Sequence, residues 1–561
     1  MKKSTMAKRL CALLLAVVML LAFAACGGEP TPSAAPSAAP SAAPSQEPGT
    51  EPAAEIDYDA VVTMALASSW STLIPYNNAS DGLYGQLVMG LLQDMLVLVN
   101  PDGSIEPRLA DSWEASEDHM SATFHLDENA TWHDGTPVTA EDFVFTVEMI
   151  TDPDCAANYK TEFDVLAGVD ANGVREEGTE LGMEALDEHT IKITFDQPTD
   201  LEQSIYNDIG AYYPIPKHLL ENVDPADYLT CDVWDAPMGC GPYTFVSTVP
   251  GTQLVVNANE NYHLGRPGLG QLVIEYMSAQ NIPSALISED IDISFPNCSS
   301  DDVDLCATYD HLNIWTADYP TTPCMFVMAN TYWPDHRVRQ AFNYALDREL
   351  ICTTLGTNFS PVGSPIFPTS EYYKEEYSAP VFDPDKAIEI LKECEADGTF
   401  DFSQTIEIYT PAGDRTKAAT VIQQNLQDIG LTVEVVQSDT ASMFGGMVQG
   451  KVGIGMANFS VQPHPMYFSM MTSNESPSYV MADIPLWDEL KAKLAQSFTD
   501  EEKEEVMTEY QKAWAEYQPS IFYAISFDRT PYNARLGDNV YYTNLLSNSY
   551  FWPCWRLQVT K

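Results

Sequence analysis

From Val61 to Phe527 the chain alternates short strand-like runs with helical patterns, and no unit repeats along the way. That texture excludes a solenoid or propeller and predicts α/β lobes, in which helices bury apolar faces against sheets. Val61 to Leu66 reads as a strand, and Gln86 to Val97 as an apolar helix leading into a turn at Asn100-Pro101-Asp102-Gly103. Ser121 to Leu126 alternates, with Ala122, Phe124 and Leu126 on its apolar face. Thr139 to Ile150 opens as a helix, with Thr139 as cap and Asp142 three residues on. Ile191 to Phe195 has period two, and Leu254 to Val256 has it less cleanly. Asp335 to Cys352 carries Val338, Ala341, Ala345 and Leu346 at helical spacing, and Asp383 to Cys394 repeats this with Pro384 in a first-turn position. Lys417 to Ile429 is an amphipathic helix stopped by Gly430, followed by a strand from Leu431 to Val436. A charged helix from Asp500 to Tyr517 precedes strand-like Ser520 to Phe527.

At 561 residues, with 45% apolar and 11% aromatic content, the chain has material for two or three packed units and is no small disulfide-stapled scaffold. Its 81 acidic against 27 basic residues give a formal charge of −54. A surface of that sign repels phosphate backbones, so nucleic acid is excluded as a partner. Most of these carboxylates serve solubility, because exposed charges are screened over ~8 Å at physiological salt.

The first residues cannot belong to the packed body. Lys2, Lys3, Lys8 and Arg9 precede an apolar run from Leu10 to Phe23 and the small residues Ala24 and Ala25, the layout of a secretory signal over residues 1–25. The run is shorter than the ~20 residues that cross a bilayer, and no later stretch is long and uncharged enough to do so. Phe23-Ala24-Ala25-Cys26 resembles a bacterial lipobox, which implies cleavage before Cys26 and its lipidation. Acyl chains on Cys26 would anchor the chain stably, since each buried methylene contributes about 0.8 kcal/mol. Residues 26–57 carry Ser-Ala-Ala-Pro three times from Ser33 to Pro44 and have almost nothing apolar to bury, which predicts a disordered tether. Of the later cysteines, Cys231 with Cys240 and Cys298 with Cys306 are spaced to close short loops in an oxidising exterior, though nothing in the sequence requires it.

Catalytic signatures are missing. There is no Gly-x-Ser-x-Gly elbow, no His-Glu-x-x-His and no Gly-x-Gly-x-x-Gly between strand and helix. The nearest phosphate-loop mimic, Gly445 to Lys451, ends on Val452, which lacks the hydroxyl that holds magnesium. No Cys/His spacing suits zinc. His464, Met466, Met470 and Met471 form a cluster that fits either a soft metal or core filling, and filling is the commoner use of Met. No cofactor and no metal are expected.

Several segments together resemble the extracellular solute-binding proteins of family 5, the oligopeptide-, dipeptide- and nickel-binding components of ABC importers. The clearest runs from Leu109-Ala110-Asp111-Ser112-Trp113 through Phe124-His125-Leu126 to Trp132-His133-Asp134-Gly135-Thr136-Pro137 and Glu141-Asp142. Pro216-Lys217-His218, Gly239-Cys240-Gly241-Pro242-Tyr243, Asn261-Tyr262, Arg337 to Ala341, Asp347-Arg348 and Phe382 to Ala387 follow in order. These residues mark the scaffold: His133-Asp134-Gly135 reads as a turn, Gly241-Pro242-Tyr243 as a chain reversal, and Asp347-Arg348 as local ion pairing. The resemblance implies a periplasmic-binding-protein-like two-lobe fold of type II in its large cluster C form. Its expected parts are lobe I over residues 58–295 with an inserted subdomain at about 90–213, lobe II over 296–524, and a return to lobe I over 525–561.

The same resemblance implies an extracytoplasmic, lipid-anchored monomer that takes a small polar ligand, a peptide first, into the interlobe cleft and delivers it to ABC permease and ATPase subunits. Trp70, Tyr212 and Tyr213 carry large amphipathic rings suited to a cleft or to a core. Phe459, Ser460, Gln462 and His464 form a further cleft candidate. There Phe459 takes the position of a Trp in peptide-binding relatives, and Gln462 that of the Asp that pairs with a ligand's α-ammonium. Gln462 supplies no opposite charge, which opens the ligand class to a sugar, a modified peptide or a metal complex. The rival classes are a secreted hydrolase and a ligand sensor without a transporter.

Overall fold

A computed structural model describes residues 55–561, apart from 459–484, 538–553 and short stretches at 71, 78–81, 101–103, 208, 295–297, 318–321, 329–332, 369 and 379. Cys26 and the Ser-Ala-Ala-Pro tract therefore lie outside the described residues, as do Phe459, Ser460, Gln462 and His464. Among the described residues no helix is long and apolar enough to cross a membrane.

Two mixed sheets organise the body from residue 54 onward. The first has seven strands in the order Leu312–Thr316, Arg529–Asn533, Ile293–Ser294, Val61–Leu66, Gln271–Tyr276, Gln253–Ala258 and Tyr243–Val249. Val61–Leu66 is its parallel centre, with Val61 opposite Gln271 and Met64 opposite Ile293. The second has six, in the order Phe359–Pro361, Ser520–Ser526, Thr322–Met328, Ile454–Asn458, Thr405–Thr410 and Thr432–Gln437. Its parallel half, Thr405–Thr410 beside Thr432–Gln437, is covered by helix Asp414–Asp428, which ends where Gly430 adopts φ 93°. Ser520–Ser526 is buried along its whole length, as a central strand covered on both faces must be.

Leu312–Thr316 belongs to the first sheet although it follows residue 296, so the chain passes to the second sheet between Thr316 and Thr322 and returns between Ser526 and Arg529. The first passage therefore falls some way beyond the expected lobe boundary. Asp335 to Cys352, with its helical spacing, forms two helices: His336–Ala345 and Arg348–Leu355. Asp347 breaks it by capping the second helix through the Leu350 amide (3.0 Å), while its own N–H donates to Asn425 Oδ1 (3.0 Å). Nor does Arg348 form the expected local ion pair. It donates to the carbonyls of Val362 and Phe522, and burial lowers its pKa to about 10.

An inserted module carries a four-stranded antiparallel sheet, Ala110–Ala115, Ser121–Leu126, Thr190–Thr194 and Met183–Asp187, with its own core around Phe124, Trp132, Phe143 and Phe163. Helix Ala140–Ile150 starts on Thr139, whose N–H and hydroxyl both donate to Asp142 Oδ2 (2.9 and 3.1 Å). A buried charge network seats the module on the first lobe. Arg108 Nε donates to Asp94 Oδ1 (2.9 Å), and its guanidinium sits 3.8 Å above the Trp555 ring. His263 bridges Asp94 Oδ2 (2.9 Å) and Asp127 Oδ2 (2.8 Å), and Tyr262 donates to Asp94 (2.7 Å). Burial raises the Asp94 carboxyl, but Arg108, His263 and Tyr262 outweigh it and hold its pKa below the usual carboxylate value. Burial likewise disfavours the His263 charge, and its two carboxylate partners reverse the effect and raise its pKa.

The two ends of the described body close on each other. Asp57 N–H donates to Val559 O (2.7 Å), Lys561 N–H to Glu55 O (2.9 Å), and Ile56 bridges Thr560 antiparallel.

Candidate ligand cleft

The two passages between sheets lie side by side, since Ala317 N–H donates to Asp528 O (2.9 Å). Next to them opens a cavity of about 610 Å³. One wall is the start of helix Ser300–Cys306, where Ser299 caps by accepting from the Asp302 amide (3.2 Å). The facing wall is Asn358, Phe359, the Gly413-Asp414 start of helix Asp414–Asp428, and Asn458 at the end of its strand. Ser526 to Arg529 supply the remaining side. A volume of this size falls in the ~300–1,000 Å³ range of small-molecule sites.

Polar groups from the two walls already meet. Ser300 Oγ donates to Asp414 Oδ2 (3.0 Å), and Lys417 Nζ reaches both Asp301 Oδ2 (2.9 Å) and Asp414 Oδ1 (3.1 Å). Burial works against the Lys417 charge, but these two carboxylates prevail and raise its pKa above that of an ordinary lysine. Arg529 in the second passage pairs with Asp304 (2.9 Å). Asn458 Oδ1 is buried and accepts no hydrogen bond among the described residues. Polar groups converging from two walls are suited to orienting a polar solute. No nucleophile–base pair accompanies it, and among the described residues no group of three metal-binding side chains occurs anywhere.

The three rings expected at the cleft are held in packing and backbone contacts. Trp70 is 2% exposed and packs in the core beneath the first sheet with Val62, Leu87 and Leu254. Tyr212 is buried in the inserted module and donates its hydroxyl to Glu162 O. Tyr213 stacks on Tyr76 with ring centroids 4.5 Å apart, and its hydroxyl accepts from the Tyr76 amide (3.2 Å). None of the three lines the cavity. Their apolar faces are used for packing and their hydroxyls for backbone bonds, which is why sequence patterning could not separate them from cleft rings. Ser300 and Asp414, which line the cavity, carry in sequence only the pattern of helix starts, Ser-Ser-Asp-Asp and Gly-Asp-Arg. Cys231, Cys240, Cys298 and Cys306 are free thiols, as are Cys155, Cys352 and Cys394.

The motif residues converge although more than a hundred positions separate them. His133 N–H donates to Gly239 O (2.9 Å), its Nδ1 accepts from the Gly239 amide (3.3 Å), and its Nε2 lies 3.1 Å from Gly241 O. Burial keeps that imidazole neutral, with its pKa lowered to about 4. A Cβ on Gly239 would stand 1.8 Å from Leu92 O, so this position needs glycine for close approach of two backbones. Asp134 accepts from the Thr136 amide (2.9 Å) beside Gly135 at φ 88°, the expected turn. These side chains build the junction of module and lobe.

The family described as bacterial extracellular solute-binding proteins, family 5 Middle, matches residues 104–479. The chain belongs to this family. Among relatives of this family 5 protein, a Brucella ovis protein named for ABC transporter peptide binding is 25% identical over 381 residues, 66% of either chain. The periplasmic oligopeptide-binding protein OppA of Salmonella typhimurium is 27% identical over 305 residues, 50% of either chain. The family 5 chain thus spans somewhat less than two thirds of the curated relatives it matches. In fold it superposes on the substrate-binding protein CtaP of Listeria monocytogenes with a TM-score of 0.77 at 22% identity, over 90% of this chain and 100% of the other. NikZ of Campylobacter jejuni, solved with Ni(L-His), gives 0.74 at 21% identity over 90% and 100%. The two-lobe α/β fold of periplasmic binding proteins is therefore that of this chain.

Proposed function

We propose that this protein is the solute-binding component of an ABC importer, closing its two lobes on a peptide or a similarly small polar solute and releasing it unaltered to a permease driven by ATPase subunits. The observation that carries the reading is the 610 Å³ cavity walled by both lobes beside the two passages. A ligand touching both walls favours the closed shape by its differential affinity, which is how binding becomes a signal. The buried Asn458 acceptor calls for an N–H donor, as a peptide group or an amine supplies. Phe459, Ser460, Gln462 and His464, which come soon after Asn458 in the chain, are proposed as further ligand contacts. Cys26, lipidated after removal of residues 1–25, anchors the body outside the cell through the Ser/Ala/Pro tract. The lobe spans are proposed as 58–316 for the first lobe with its inserted module, about 322–526 for the second and 527–561 for the return, because Leu312–Thr316 pairs in the first sheet.

Native mass spectrometry of protein purified without added ligand, followed by denaturing release, tests this directly. One intact small polar molecule per chain is expected. Hydrolysed peptide fragments accumulating with time would instead establish an enzyme, and recovery of a nickel complex would move the ligand class to the metal-complex binders.

A further inference from the structure

Helix Asp500–Tyr517 lies in the second lobe, packing Met507, Tyr510 and Trp514 with Phe522 of the second sheet. It begins as a helix should, with Thr499 as cap and Asp500, Glu501 and Glu502 in the first turn. Lys503 follows at once, a cation at the helix end that disfavours cations, and its side chain is only 6% exposed. Neither the helix nor the solvent explains its position. Its Nζ lies 2.7 Å from Asp200 Oδ2 and 3.9 Å from Glu202 Oε2, both on the inserted module, and the Asp200 side chain is 9% exposed. Next to this pair Phe498 stacks on His119, with centroids 4.1 Å apart and planes at 21°. His119 holds φ at 58°, a strained conformation for a non-glycine residue. Its carbonyl accepts from the amide of Thr199, the neighbour of Asp200 (2.9 Å), so ring and carboxylate are presented by one connected corner. None of these residues lines the ligand cavity.

We propose that this corner is a closure latch: Lys503 and Phe498 of the second lobe engage Asp200 and His119 of the inserted module only when the lobes are shut. The inference rests on the clamp reading above. When the lobes part, both charges return to water and the rings separate. The latch thereby sets how much closed protein exists without ligand, and apparent affinity scales with that fraction. Removing one charge takes the opposite charge from beside the other, and does so in the closed form alone.

The test uses the full chain, stripped of bound solute by unfolding and refolding, with an equimolar pool of synthetic tri- to pentapeptides as probe. Calorimetry and X-ray scattering are run on the parent, Lys503→Met, the exchanged pair Lys503→Asp/Asp200→Lys, and His119→Gly. Lys503→Met is expected to weaken binding of the pool about tenfold or more, and the exchanged pair to recover most of that loss. His119→Gly removes the ring while relieving the backbone, so it weakens binding without lowering the thermal midpoint. The latch is overturned if the parent contracts with the pool while Lys503→Met and His119→Gly bind within about twofold of it. It is overturned equally if the exchanged pair binds no better than Lys503→Met. A parent that neither binds nor contracts with the pool sinks the peptide clamp itself, and the latch with it.

Discussion

Replacing Arg108 by methionine isolates the charge network that seats the inserted module. In the folded chain the Arg108 and Asp94 side chains are 1% and 0% exposed, with Nη2 to Oδ1 at 2.7 Å. Breaking a buried pair from one side costs about 3–5 kcal/mol. Loss of the cation over Trp555 adds about 1–2 kcal/mol, roughly what the buried methionine side chain returns. Asp94 keeps three donors, the Met95 amide, Tyr262 and His263, so the penalty falls at the low end, about 3 kcal/mol. Urea unfolding followed by tryptophan fluorescence reads it, with near-ultraviolet dichroism confirming that the variant folds. Pairing the change with Asp94→Asn removes the stranded charge and should return at least about 1 kcal/mol. A loss below about 1 kcal/mol for Arg108→Met alone, or a double variant weaker than the sum of the singles, would refute the reasoning.

The pH dependence follows from the same cluster. His263 is raised in the folded state, so its contribution is fully present below the unfolded value of about 6.5 and disappears as pH rises through the folded one. Asp94 and Asp127 are lowered, so theirs is present above about pH 3.9 and disappears as pH falls through the folded values. His263→Gln should flatten the alkaline decline of the urea midpoint; an unchanged slope contradicts the assignment. Trp70→Ala should cost about 3–5 kcal/mol of stability, because Trp70 is core, and reduced binding without reduced stability would return it to the cleft. Gly239→Ala should cost about 1–3 kcal/mol by forcing Leu92 and Gly239 apart; an unaltered thermal midpoint would show that the backbone yields freely.

Local chemistry explains which parts were legible in the sequence. Helix Pro384–Asp397 announces itself by the Asp383 cap, Pro384 and the left-handed Gly398, all of which act within a few residues. Helix Asp500–Tyr517 and strand Val61–Leu66 lie where periodicity puts them. The division at Asp347 was hidden because Asn425, seventy-eight positions away, accepts its N–H. The cleft was hidden for the same kind of reason. Ser300 and Asp414 carry only the signature of helix starts, and what distinguishes them is that each faces the other across two lobes. Arg348 shows the limit from another side, since a buried guanidinium satisfied by carbonyls looks in sequence like half of an ion pair.

The antiparallel clasp of residues 55–57 with 559–561 has a mechanical consequence. A pull applied at Glu55 is shared at once with residues 559–561, and Leu557 and Val559 pack in the core of the first sheet. Load is thus borne by one lobe, and no strand of the other lies in its path.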